Sequence, residues 1–182
     1  MVQSSFEQVF DSLYERNFSL LMGILVRMAG NKEAAEDLCQ EAFVKLHQRL
    51  AGEKTAFPSL DEARFWLIRV AKNLALNYQK RRTRELAAYK KTLRKELIRR
   101  PHEPSTEQLL LKKELSLKVQ EALLLMPEKL REALVLKEYG DLPYKDIAVV
   151  LKINEGNVKV RVFRAREWFA ARFGNLEEMN VS

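Results

Sequence analysis

Residues 153–166 read INEGNVKVRVFRAR, and the fold turns on how this stretch is read. Asn154 stands where a cap would, in front of Glu155 and Gly156. From there Val158, Val162, Ala165 and Phe169 fall on one stripe at roughly the 3.6-residue helical period. Lys159, Arg161, Arg164 and Arg166 lie mostly off that stripe. The pattern predicts an amphipathic helix that buries one side and turns positive charge outward.

The preceding residues give this helix a companion. Pro143 opens a short helix through Lys152, with Ile147, Ala148 and Leu151 on its inner side and Ile153 plugging the junction. A short supporting helix, a tight turn and a basic helix make a helix-turn-helix, whose second helix enters the major groove of DNA. The helix N-terminus at Asn154 also favours a phosphate. Arg164, one turn past Val160 and beside Phe163, is the expected base-edge contact. Phe163 is placed to meet a thymine methyl or a sugar, and Arg161 and Arg166 to meet phosphates or acidic neighbours. The alternative is a packing module whose basic face is merely solvated.

Composition narrows the choice. The chain has 182 residues, 47% of them hydrophobic, enough for one ordinary core or two small ones. No apolar run approaches the roughly 20 residues that span a bilayer, and MVQSSFEQ is no secretory signal. One cysteine, Cys39, leaves no internal disulfide, and the expected compartment is the cytoplasm. The net charge of +7 favours anionic partners. Its distribution says more, because Lys80–Arg100 is dense in Lys and Arg whereas Glu33, Glu36, Asp37 and Glu41 form an acidic cluster. Two partners of different charge are implied.

The whole chain reads as all-α. Ser4, with Glu7 as reciprocal partner, caps a first helix on which Phe6, Val9, Phe10, Leu13, Phe18, Leu21 and Leu25 recur up to Gly30. A second runs from Asn31 to about Leu50, burying Ala35, Leu38, Cys39, Ala42, Phe43 and Leu46. After a loop at 51–60, a third covers about 61–82, with Phe65, Leu67, Ile68, Ala71, Leu74 and Ala75 inward. Residues 1–82 form a first small helical domain and 83–104 a basic linker ending in RRPHEPS. The second domain, 105–174, starts at a Ser105 cap with Gln108. It continues with Pro127 at the head of Glu128–Tyr139 and Gly140 in the C′ position, and residues 175–182 are a polar tail.

PEKLREALVLKEYGDLPYKDIAVVLKINEGNVKVRVFRAREWF (127–169) resembles the C-terminal DNA-binding domain of the extracytoplasmic function group of the bacterial sigma-70 family. EDLCQEAFVKLHQRL (36–50) resembles the family segment that grips the clamp helices of core RNA polymerase. ARFWLIRVAKNLALNYQKRR (63–82) resembles the segment that melts and reads the −10 element. The match spans about residues 5–171 in family order.

The resemblance implies roles. Asp37, Gln40 and Glu41 would face the polymerase clamp, with Leu38 and Phe43 holding their helix. Asn73 and Asn77 would line the pocket for an unstacked −10 base, with the 51–60 loop as its rim and Trp66 as core. Lys72, Lys80, Arg81 and Arg82 would hold backbone phosphates. Phe163 and Arg164, with Asn157, Lys159 and Val160 beside them, would meet −35 DNA. It further implies an initiation factor that is not itself an enzyme, works as one copy without cofactor, metal or membrane insertion, answers stress or envelope signals, and is restrained by an anti-sigma factor.

The chain departs from the family pattern at Lys152, where Gly is frequent before the turn, and at Pro143, which replaces a Ser cap. Val160 stands where Ser is frequent and Asn157 where Thr is, so the −35 sequence preferred here is expected to differ. Two rival readings fare worse. An enzyme would need more than Cys39, His47 and His102 supply, and the acidic cluster lacks the Glu-x-x-His pairing of a carboxylate-bridged metal site. A dimeric operator-binding regulator would share the helix-turn-helix but give no use to Asn73, Asn77 and the acidic helix together.

Overall fold

The computed structural model describes residues 5–52, 57–92 and 117–173. The Ser4 and Ser105 caps, the Pro-containing end of the linker and the polar tail lie outside the described residues.

Helix α1 (Ser5–Ala29) ends at Gly30, whose φ of 76° is the left-handed conformation that stops a helix. Asn31 then starts α2 (Lys32–Gly52), its side-chain oxygen accepting from the Ala34 N–H at 3.1 Å. Ser59 does the same for α3 (Leu60–Thr92), accepting from the Glu62 N–H at 3.2 Å. α1, α2 and α3 pack against one another. The stripe expected on α2 is buried in full. On α1 the inward residues are Leu13, Leu21, Ile24, Leu25 and Met28, whereas Phe18 is exposed rather than buried. Each fully buried leucine contributes about 1.5–3 kcal/mol.

α3 runs ten residues past position 82, so the first part of the expected linker is helical. No Gly or Pro interrupts the sequence there, and its Arg, Glu, Leu, Ala and Lys are strong helix formers. Arg81 and Glu85 add a pair at 3.7 Å one turn apart.

The second half consists of a helix whose described part is 117–125 (α4), then α5 (Glu128–Glu138), α6 (Tyr144–Leu151) and α7 (Glu155–Phe173). Pro127 and Pro143 are the N-cap residues of α5 and α6. After α5 the left-handed residue is Asp141 (φ 46°), not Gly140. Gly140 is needed for space instead, since a Cβ there would lie 2.7 Å from the Leu136 carbonyl and 3.2 Å from Ile24. α5 packs on α6 and α7, which pack on each other.

The two halves also touch. α1 meets α5, α3 meets α6, and the buried side chains of both belong to one cluster. Gln120 donates to the Arg27 carbonyl at 2.8 Å near the end of α1, and the Arg27 guanidinium lies 4.6 Å from the centre of the Tyr139 ring.

Candidate nucleic-acid interface

The turn before α7 is built on Lys152. With φ 55° and ψ 46° it adopts the left-handed conformation that glycine usually takes. That lets its own N–H and that of Ile153 (3.1 Å) both reach the Ala148 carbonyl. Asn154 caps the next helix, its side-chain oxygen accepting from the Asn157 N–H at 2.7 Å. Val158, Val162, Ala165 and Phe169 are buried, as the period requires. Val150 completes the inner side of α6 beside Ile147, while Ala148 and Leu151 are half-buried.

What remains outside on α7 is mixed in character. Asn157, Lys159, Val160, Phe163 and Arg164 are all exposed, and Phe163 keeps 62% of its surface. An aromatic ring left in water at that level asks for a partner. Arg164 makes no ion pair among the described residues. Lys159 is held by Glu155 at 2.8 Å, which raises its pKa. Arg166 is bound to Glu138 at 2.6 Å, and this hydrogen bond raises its pKa against the opposing effect of burial. Arg166 therefore ties α7 to α5 and does not face outward as a free cation.

On α3, Asn73 and Asn77 are exposed one turn apart. Asn77 and Arg81 share a groove of about 300 Å³ with Leu74 and Tyr78, and with Leu38 and Glu41 from α2. Asn73 does not line it. Tyr78 was not singled out from sequence; its position one residue after Asn77 was the available signal. At the Phe57 end of the loop, the Arg49 guanidinium sits 4.6 Å from the Phe57 ring and 5.2 Å from that of Trp66, so half-buried Trp66 anchors the loop. Residues 53–56 of that loop lie outside the described residues.

The phosphate-binding candidates on α3 are divided. Lys72 is buried in an ion pair with Glu132 at 3.2 Å, and Lys80 pairs with Glu128 at 3.2 Å. Arg81 pairs with Glu85 at 3.7 Å, and Arg82 is half-buried. Lys72 is thus turned into the contact with the second half and away from the Asn73 and Asn77 face.

On α2, Asp37, Gln40 and Glu41 are exposed, while Leu38 and Phe43 are buried beneath them. Glu41 pairs with Lys45 at 3.3 Å, and Asp37 makes no ion pair among the described residues. Beside this edge Tyr14 stands 4.6 Å from Phe43, with Phe18 also exposed. Burial pushes the Cys39 thiol up to about 11, which makes it unreactive. Among the described residues no group of three His, Cys, Asp or Glu is placed to hold a metal, and no helix is long and apolar enough to cross a membrane.

The structure thus joins a helical unit with an acidic edge and exposed amides to a helix-turn-helix unit of the DNA-binding class. Residues 13–85 match the family model for sigma-70 region 2 and residues 116–169 that for sigma-70 region 4. The chain is 33% identical over 173 residues to the RNA polymerase sigma-H factor of Pseudomonas aeruginosa, covering 91% of this chain and 86% of that one. It is 30% identical over 171 residues to the sigma-E factor of Escherichia coli K12, covering 91% and 87%. Its fold is similar to that of CnrH, solved in complex with the cytosolic domain of CnrY, with a TM-score of 0.64, 20% identity and coverage of 96% and 91%. The chain belongs to the extracytoplasmic function group of the sigma-70 family. It directs RNA polymerase to promoters, binding both the core enzyme and promoter DNA, and is not itself an enzyme.

Proposed function

We propose that the outer face of α7 reads the −35 element, with Arg164 and Phe163 at the base edges and Asn157, Lys159 and Val160 around them. The supporting observation is that α7 is fixed by its Asn154 cap, its buried stripe and the Arg166–Glu138 pair, yet leaves Phe163 and Arg164 exposed, Arg164 with no ion pair among the described residues. A rigid helix presenting unengaged groups loses little entropy on binding. Asn73 and Asn77 take an unstacked −10 base, their amides able to satisfy a base edge. Arg81 and Arg82 hold the neighbouring phosphates, joined by Lys72 and Lys80 once these leave their pairs with Glu132 and Glu128, and Asp37, Gln40 and Glu41 meet the polymerase clamp over the scaffold of Leu38 and Phe43. Functionally the chain divides at 1–82, 83–104 and 105–174, with the described helix through Thr92 carrying the first unit into its linker. It acts in the cytoplasm as one copy, serves a stress or envelope regulon, and is restrained by an anti-sigma protein. That last point draws support from a relative in fold having been solved with a bound partner.

Anisotropy of the labelled chain titrated with core RNA polymerase tests the assignment. One-to-one saturable binding is expected, weakened by about 2 kcal/mol or more in Asp37→Lys, where an interfacial charge is reversed. Unchanged affinity in this variant, with its melting temperature preserved, removes the clamp role from Asp37.

A further inference from the structure

A groove of about 410 Å³ lies between α3 and the corner where α4 gives way to α5. α3 lines it with Lys80, Thr83 and Arg84, and the facing wall carries Leu124, Glu128 and Arg131. Arg131 is only 7% exposed, and its Nη1 donates to the Leu123 and Leu124 carbonyls at 3.3 and 3.1 Å. Its buried Nε–H meets no acceptor, and its guanidinium makes no ion pair among the described residues. The carboxylates on either side of it are already taken, Glu128 by Lys80 and Glu132 by Lys72, each at 3.2 Å. Burial lowers the Arg131 pKa, with Glu128 and Glu132 acting in the other direction. A buried cation with an unused donor and no paired carboxylate is costly to hold, and an anion beside it offsets that cost.

Arg84 brings a second guanidinium from the facing helix. It is exposed and makes no ion pair among the described residues, and only its Nε is engaged, donating to the Lys80 carbonyl at 3.2 Å. Three cations against the single carboxylate of Glu128 leave the groove with two positive charges. The planar fork of an arginine matches phosphate oxygens two at a time, which a lysine cannot do. The volume falls within the range of small-ligand sites, roughly 300–1,000 Å³, and Leu76 and Leu124 add an apolar wall.

We propose that this groove binds a small ligand carrying two linked phosphates, inorganic pyrophosphate or the diphosphate end of a nucleotide, between Arg84 of α3 and Arg131 of α5. Neither the outer face of α7 nor the acidic edge of α2 takes part in the site.

Titration calorimetry of the full chain with inorganic pyrophosphate, and separately with ADP, tests it. One-to-one binding is expected, with a Kd at or below about 1 mM. Arg84→Gln removes one fork and Thr83→Glu puts a carboxylate in the groove; both positions are exposed, and each variant should weaken binding about tenfold or more. Arg131→Met should abolish it, and if that chain does not fold, the two exposed variants decide the matter. Arg16→Gln removes an exposed charge on α1, outside the groove, and should change nothing. Tighter binding of ADP than of pyrophosphate supports a nucleotide, and equal binding supports the diphosphate alone. Equal weakening in Arg16→Gln and Arg84→Gln would mean that net charge alone attracts the anion, and overturns the site. Absence of binding by both probes at millimolar concentration overturns it as well. A mixed-sequence single-stranded oligonucleotide that loses affinity in the same variants, while neither small probe competes with it, would make the groove a seat for DNA backbone and overturn the small-ligand assignment.

Discussion

Replacing Lys152 by glycine should stabilise the protein. Lys152 sits at φ 55° and ψ 46°, a region that costs a residue bearing a Cβ about 1–2 kcal/mol. Glycine adopts it without that cost but returns about 0.5–1 kcal/mol through its freer unfolded state. The side chain is exposed and makes no hydrogen bond or ion pair among the described residues, so truncation removes no other contact. The net expectation is a gain of about 0.5–1 kcal/mol, or a rise in melting temperature of about 1–4 °C for a chain of this size. Calorimetry and urea unfolding should agree on the sign. A lower melting temperature with a lower urea midpoint would refute the reasoning, and would mean that the lysine stem or charge outweighs the backbone strain. The same variant reports on function. If the Lys152 ammonium meets a phosphate in the −35 complex, the slope of log affinity against log salt should flatten by about 0.9.

Three further perturbations have definite outcomes. Arg164→Ala should cost about 1–3 kcal/mol on the preferred −35 duplex and relax sequence choice there; equal losses on every duplex would make Arg164 a phosphate contact. Gly140→Ala should destabilise by about 1–3 kcal/mol, because its Cβ would lie 2.7 Å from a backbone carbonyl that cannot swing aside; a melt unchanged within a degree would show that the turn relaxes freely. Cys39 binds its proton more tightly when folded, with a pKa of about 11 against 9.0, so its contribution is complete below pH 9 and is lost as pH rises through 11. Cys39→Ala should lack that loss of about 2–3 kcal/mol, and identical alkaline stability profiles for the two proteins would contradict it.

The parts of the fold legible in the sequence are those set by local chemistry. The α2 stripe, the helix start at Asn31, the Asn154 cap and the Val158–Phe169 face each follow from residues within two or three turns. Where the reading went astray, a neighbour distant in sequence decided the matter. Phe18 keeps the helical period, yet among the described residues no element covers the face of α1 near Tyr14 and Phe43, so the ring is exposed. Gly140 does stand at C′, directly after the C-cap Tyr139, but its constraint comes from Leu136 and Ile24, and Asp141 takes the positive φ. Lys72 lies among basic residues that read as one run, and its pair with Glu132 on α5, sixty positions away, is not foretold by that run.

Counting cations on α7 misjudges the interface for the same reason. Lys159 is held by Glu155 within its own helix, Arg166 by Glu138 across to α5, and Arg172 lies against the Trp168 ring at 4.2 Å. Arg161 is half-buried. The Arg166 pair fixes α7 on α5, and a hydrogen bond between charged groups is among the stronger anchors available at a surface. The positive charge of the helix is therefore spent largely on rigidity. Arg164 remains exposed, with Val160 and Phe163 beside it as apolar groups and Asn157 as an amide. Apolar side chains distinguish bases through the thymine methyl and an arginine through the edge of guanine, so in the proposed −35 complex a face of this composition would select sequence more than attract charge. In that complex, bulk attraction to the duplex would fall to lysines and arginines elsewhere in the chain. On α3, Lys72 and Lys80 are paired with Glu132 and Glu128.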